Sequence, residues 1–322
     1  MKDLYVSKTR LPPLSKYNKY LKVLWKSRYL TNNGIFVQEL ENRLKKYWKV
    51  KHVICVSSGT SATEIALKAM GIKKEIYVSP FSYVSTVSVP LWLGIKPLFV
   101  DIGEKYKGPA FVTHTYGLPH FTNVHPVLYD ASHAFCVKVN GKSILSYGDC
   151  SIVSFHATKI FHSVEGGAIV TNSDDIAEKS RWMRNFGHDG QYKYFGVGIN
   201  AKMSEFHAVM GLCSLDTIDQ TEKRYDEIIN MYNDKLSGYG ENLSYYPFFY
   251  STEKVLLKAI KIFEENHIYP RRYFYPALNT IFNGKKCPVA EDLSSRVLCL
   301  PLYYELTNAD VQRVIKVTLQ TL

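Results

Sequence analysis

Between residues 53 and 172 the apolar positions fall in short β-branched runs, most of them ending in small or polar residues. The runs are 53–56, 75–79, 96–101, 110–114, 126–130, 151–155 and 167–171. Continuous apolar runs of this length predict strands buried on both faces, and hence a largely parallel sheet. Residues 135–145 alternate instead, around Asn140-Gly141, which predicts a hairpin. Beyond residue 200 the period changes: 202–219 and 220–238 repeat apolar residues at spacings of three and four, as helices do. From about residue 245 the pattern reads strand, helix (252–266), an extended 269–276, strand (296–300) and helix. Thr307 and Asp310 have the spacing of a capping box opening that last helix. The predicted architecture is α/β: a large domain over 1–220 with a mostly parallel sheet, then a small α+β domain over 221–322.

One part of the pattern is awkward. Only residues 102–108 separate two candidate strands, and a parallel crossover needs a dozen or more. The next gap, 115–125, barely holds a short helix. Either one strand is antiparallel, or the sheet lacks the helices that would cover one face.

Composition narrows the function classes. The chain has 322 residues, 46% hydrophobic and 21% charged, which is ordinary for a globular protein of about two domains. The first residues lack the apolar stretch of a signal peptide, and no apolar run is long enough to span a membrane. A soluble, cytoplasmic protein is expected. The six cysteines form no CxxC pair, which disfavours zinc ribbons and thiol redox motifs. A net charge of +11 could suit nucleic acid, but the basic residues are dispersed and no recognition-helix motif accompanies them. A phosphate-bearing substrate accounts for the charge equally well.

Three segments carry chemistry. In Val56-Ser57-Ser58-Gly59-Thr60-Ser61-Ala62-Thr63-Glu64 a strand gives way to a glycine turn and a helix start, whose free N–H groups favour a phosphate. Ser61 and Glu64 have capping-box spacing there. In Leu128-Tyr129-Asp130-Ala131-Ser132-His133, Asp130 ends a buried strand, where open α/β sheets bind ligands. In Ser154-Phe155-His156-Ala157-Thr158-Lys159, a lysine leaves a strand end among small and apolar residues. A desolvated lysine has a lowered pKa and forms Schiff bases. Taken singly, a capped helix, a turn aspartate and a loop lysine are the blander readings. Together, a phosphate cradle, a carboxylate for a ring nitrogen and an imine-forming lysine are what a pyridoxal phosphate (PLP) site requires.

With these segments the chain resembles the DegT/DnrJ/EryC1/StrS family of nucleotide-sugar aminotransferases, which have the fold-type I architecture of aspartate aminotransferase. The resemblance extends through Leu30-Thr31-Asn32-Asn33-Gly34, Pro80-Phe81-Ser82-Tyr83-Val84-Ser85-Thr86, Gly198-Ile199-Asn200-Ala201-Lys202-Met203-Ser204-Glu205-Phe206 and Leu300-Pro301-Leu302. It implies that Lys159 carries PLP and shuttles the proton, and that Asp130 pairs with the pyridinium nitrogen. It sets His133 beside the cofactor and Tyr83 on its ring. Thr60, Ser61 and Ser154 match phosphate contacts. Asn200 matches a residue reaching the phosphate of the partner subunit, which implies a homodimer with shared sites.

The segments 10–14, 79–86 and 269–276 look most like the branch making dTDP-4-amino-4,6-dideoxyglucose for O-antigen lipopolysaccharide or other glycans. The implied substrates are glutamate and a dTDP-4-keto-6-deoxy sugar aminated at C4, with Lys202, Arg271 and Arg272 as candidate diphosphate partners. Two other readings stand beside this one. A related sugar dehydratase would carry histidine in place of the lysine, which Lys159 argues against. A non-enzymatic PLP-binding regulator would have lost turnover with its shortened sheet connections.

Overall fold

The computed structural model describes residues 2–190, 192–236 and 244–322. Seven strands form the central sheet: β1 (His52–Val56), β2 (Glu75–Val78), β3 (Lys96–Phe99), β4 (Ala110–Thr113), β5 (Val127–Asp130), β6 (Cys150–Ser154) and β7 (Gly167–Thr171). Their order is β1-β7-β6-β5-β4-β2-β3. Only β7 runs antiparallel to its neighbours. All seven coincide with the apolar runs to within two residues. The expected hairpin is also present, pairing Lys138–Val139 with Lys142–Ser143. Asn140 and Gly141 both take positive φ at its turn, the conformation such dipeptides favour.

The short connections resolve in favour of missing helices rather than a reversed strand. β3 and β4 both lie parallel to β2, on its two sides, so the 102–108 passage crosses over β2. It does so closely: a Cβ on Gly108 would lie 3.1 Å from the Tyr77 ring. The two faces of the sheet are therefore covered differently. Ile76, Phe111, Leu128 and Ile152 point into the main core with the helices Gly59–Ala69, Ser85–Trp92 and Asp174–Met183. On the other face, the β1-β7-β6 half packs under the helices Ile35–Trp48 and Glu205–Leu215. The remaining half presents Ala110, Val112, Val127 and Tyr129, and these are buried by loop side chains, Tyr106 and Val124 among them. His114 stacks on Tyr129 at 4.9 Å, and Phe121 meets both edge-on. The expectation that the missing helices leave this face bare is thus corrected: loop aromatics close it.

The expected boundary at residues 220/221 falls inside the helix Ile218–Asn233. The small domain pairs Tyr246–Phe249 with Val297–Leu300 and carries the helices Glu253–Glu265 and Asn308–Gln320. The latter opens with the expected Thr307–Asp310 capping box. The first strand of the chain, Leu4–Tyr5, pairs with Ile268–Tyr269 of this domain. One buried cluster runs from Ile54 and Leu128 to Leu298 and Val314, so the two lobes share a core. Asp101 adds a polar tie, accepting from the N–H groups of Val289 and Ala290 at 2.9 Å where the helix Pro288–Arg296 starts. All six cysteines are free and buried. Among the described residues no helix is long and apolar enough to cross a membrane.

Candidate active site

The carboxyl ends of β1, β5 and β6 converge, as the open-sheet rule expects. The first part of the site is a helix start. Ser58, extended, is the N-cap of Gly59–Ala69, and its Oγ accepts from the Ser61 N–H at 3.0 Å. Ser61 Oγ in turn accepts from the Ser58 N–H at 3.0 Å. The capping box is therefore Ser58–Ser61, not the Ser61–Glu64 pair that spacing suggested. It spends the Ser61 hydroxyl inside the turn, where the residue is buried. The first helical N–H groups, those of Gly59 and Thr60, have no intrahelical acceptor, and Thr60 is exposed. Ser154 closes the nest. A Cβ on Gly59 would lie 2.9 Å from Ser154 Cβ, and one on Gly167 would lie 2.7 Å from the Gly59 nitrogen. The two glycines thus let the helix start, β7 and Ser154 pack without a side chain between them, with the Gly59 and Thr60 N–H groups and the Ser154 hydroxyl close together.

Asp130 ends β5 and is buried. Its Oδ1 accepts from the Ser132 N–H at 2.9 Å, and Ser132 Oγ accepts from the Ser154 N–H at 3.2 Å, which ties the carboxylate to the nest. Burial raises its pKa, while Ser132 and the Lys159 charge pull it back down. Lys159 answers it from the turn after β6, its N–H bonded to His156 O at 2.9 Å. Burial lowers the Lys159 pKa to about 8, with Asp130 opposing. His133 is buried, and its Nδ1 accepts the Tyr116 N–H at 3.2 Å, so the ring proton sits on Nε2. Burial and the nearby Lys159 hold this imidazole well below its ordinary pKa, so it is a neutral ring.

The structure brings together Thr60, Ser61, Ser154, Asp130, His133 and Lys159. Tyr83 stands at the rim with its side chain 57% exposed. Its ring lies 6.3 Å from Phe274, which stacks on His133 at 5.7 Å. Asn200 is exposed, and its Oδ1 accepts from Lys202 Nζ at 2.6 Å. The next residue reaches the nest, since Ala201 O accepts from the Ser57 N–H at 2.8 Å. Lys202 lies over the Phe186 ring at 4.6 Å.

Of the two arginines, Arg271 is exposed. Arg272 is not a free cation: it pairs with Glu253 at 2.6 Å, donates to Ser295 O and stacks on Tyr275. In this structure it ties parts of the small domain together, and the structure does not bring it to the residues around Lys159.

Sequence reading missed several supporting residues. Glu205 is fully buried and accepts from the N–H groups of Phe36 and Val37 at 2.8 and 3.0 Å, capping the helix Ile35–Trp48. The Glu205 N–H also donates to Leu30 O at 3.0 Å, so two of the family-like motifs are each other's partners. Arg184 binds Glu41, Cys55 O and Asn33, and so anchors the 184–201 segment to β1. Tyr245 and Tyr116 join the site from places where no sequence pattern marks them, and Phe274 joins it from the 269–276 segment without having been singled out there.

A lysine facing a buried carboxylate, beside an anion nest at the strand ends of such a sheet, is the arrangement of the aminotransferase class. The chain belongs to the DegT/DnrJ/EryC1/StrS aminotransferase family, whose model matches residues 15–109 and 122–318. The unmatched stretch contains β4 and the short passage after it. The chain is 33% identical to a dTDP-4-amino-4,6-dideoxy-D-glucose transaminase of Shigella dysenteriae and 30% identical to one of Escherichia coli. The first alignment covers 98% of both chains and the second 99% and 98%. Among solved structures, DesI with its TDP-sugar product superposes with a TM-score of 0.91 at 25% identity, over 99% of this chain and 92% of that one. A Streptococcus pneumoniae protein in its PLP form shares the fold, with a TM-score of 0.86 at 18% identity and full coverage of both chains.

Proposed function

We propose that the protein is a PLP-dependent aminotransferase that moves the amino group of glutamate to the C4 keto carbon of a nucleotide-linked 4-keto-6-deoxy sugar, such as dTDP-4-keto-6-deoxyglucose. Its product would feed O-antigen or other glycan assembly. The observation that carries the reading is Lys159, its pKa lowered to about 8, facing the buried carboxylate of Asp130. The full-length likeness to the two transaminases supports the sugar and the position aminated. The helix start at Gly59 and Thr60, with the Ser154 hydroxyl beside it, offers the donors that a phosphate takes.

When bound, PLP supplies an aldehyde that exchanges between amines and a protonated ring that draws electron density from the amine-bearing carbon. Asp130 keeps the ring nitrogen protonated by opposite charge. Gly59, Thr60 and Ser154 hold the phosphate, and Ser61 fixes the turn that presents them. His133, neutral and backed by Phe274, offers a flat face to the ring. Lys159, its pKa lowered by burial in the cofactor-free chain, would carry the cofactor and would take a proton from the substrate carbon and return it.

The active unit in this reading is a homodimer with Asn200 serving the partner's phosphate. Support comes from the exposed apolar side chains around it: Phe186, Tyr192, Tyr194 and Val197, the last 90% exposed. A patch of this kind is unusual on a monomer.

The test is an absorbance spectrum of purified protein with and without glutamate, followed by borohydride reduction and peptide mapping. An imine band that converts to the amine form, with the pyridoxyl group on Lys159, is the expected result. A pyridoxyl group on another lysine overturns the assignment.

A further inference from the structure

The small domain places two consecutive residues against the site. Ser244 Oγ donates to His133 O at 2.6 Å, and the Ser244 N–H donates to Tyr116 O at 2.8 Å. Tyr245 follows and is buried. Its ring meets His133 at 5.0 Å and 73°, and is braced from behind by Tyr273 at 5.0 Å and 68°. Lys159 Nζ lies over the same ring, 5.7 Å from its centroid. One aromatic side chain from the small domain thus touches both the candidate Schiff-base lysine and the candidate stacking histidine.

We propose that Tyr245 is a positioning residue whose ring face seats the Lys159 ammonium and whose edge fixes the plane of His133. An ammonium within about 6 Å of an aromatic centroid is attracted by the ring's electron-rich face, more so where water is excluded. The charged and titratable groups facing Nζ are few. Asp130 is the carboxylate, His133 is held neutral, and burial keeps the Tyr245 phenol protonated. Among the described residues Asp130 is the anion that acts on Lys159, and the ring is the other element that favours the ammonium against burial. It acts from the side of the small domain, so the state of the lysine depends on both lobes. This inference concerns the chain's own residues and holds in cofactor-free protein, although its use in catalysis rests on the function proposed above.

The experiment is a pH titration of Lys159 in cofactor-free protein, by competitive acetylation with acetic anhydride read by peptide mass spectrometry. Wild type and Tyr245→Phe should share a midpoint near pH 8. Tyr245→Leu should lower it by roughly half to one and a half units, the loss expected for one cation–π contact. Replacement of Tyr245 by pentafluorophenylalanine keeps the ring's shape but removes its electron-rich face, so its midpoint should fall likewise, which keeps the test valid if the leucine variant does not fold. An unchanged midpoint in the fluorinated variant overturns the proposal, as does a shift in Tyr245→Phe equal to it. Borohydride mapping of the wild type separates the two claims: a pyridoxyl group absent from Lys159 defeats the cofactor reading while leaving the titration informative.

Discussion

Lys159 and Asp130 oppose each other in both charge and titration. Lys159 is lowered to about 8 from its ordinary 10.5, so between those values the unfolded chain holds a proton that the folded chain has released. Its burden on stability is therefore full below about pH 8 and shrinks as pH rises toward 10.5. Lys159→Met is expected to raise the melting temperature of cofactor-free protein at pH 7, with the gain fading by pH 10.5; calorimetry at the two pH values checks this. Asp130→Asn should fold and bind PLP but lose orders of magnitude in rate, each tenfold being about 1.4 kcal/mol of barrier; near-normal turnover would leave Asp130 a strand-end cap. Gly59→Ala puts a Cβ 2.9 Å from Ser154 Cβ, and a fluorescence titration should show PLP affinity down at least about tenfold, roughly 1.4 kcal/mol. These residues were legible because each ends an apolar run or follows one within a few residues. Tyr245 was not, because it reaches the site through tertiary packing that no local period encodes.

At the level of elements, the period of apolar residues located all seven strands of the sheet, since strands buried on both faces leave little else to read. The helices Leu14–Ser27 and Ile35–Trp48 escaped that reading. The first buries only Leu24 and is laced with lysines, so its pattern is faint. The second begins after Gly34, with no side-chain cap of its own. Its cap is Glu205, distant in sequence, which no capping rule could find. Glu205→Ala strips two N–H groups of a charged acceptor in a buried place and is expected to cost about 2–4 kcal/mol; a chemical denaturation midpoint measures it. Unchanged stability would mean that Glu205 is only packing.

For the whole molecule, the shared-site dimer has a complementation test. Inactive Lys159→Ala chains mixed with inactive Asn200→Asp chains, under conditions that exchange subunits, should restore one intact site in each mixed dimer. Proven exchange without recovered activity, or a fully active monomer in solution scattering, rejects the shared site. The architecture followed from sequence except along the shortened face: the gap lengths allowed either a reversed strand or missing helices, and the parallel pairing of β3 and β4 with β2 decides for the latter, while the aromatic loops that cover the face leave no periodic trace.

That closure has a consequence for how this scaffold tolerates changes of length. The 102–108 passage crosses β2 so closely that a side chain on Gly108 would press on the Tyr77 ring, yet the strand ends bearing Asp130 and Ser154 stay in register. The chemistry hangs from one end of the strands, whereas this crossover runs back along the face of the sheet to the opposite end. A crossover can therefore be shortened along the face of the sheet while the catalytic end keeps its spacing, provided that a side chain such as Tyr106 still covers the strands beneath it.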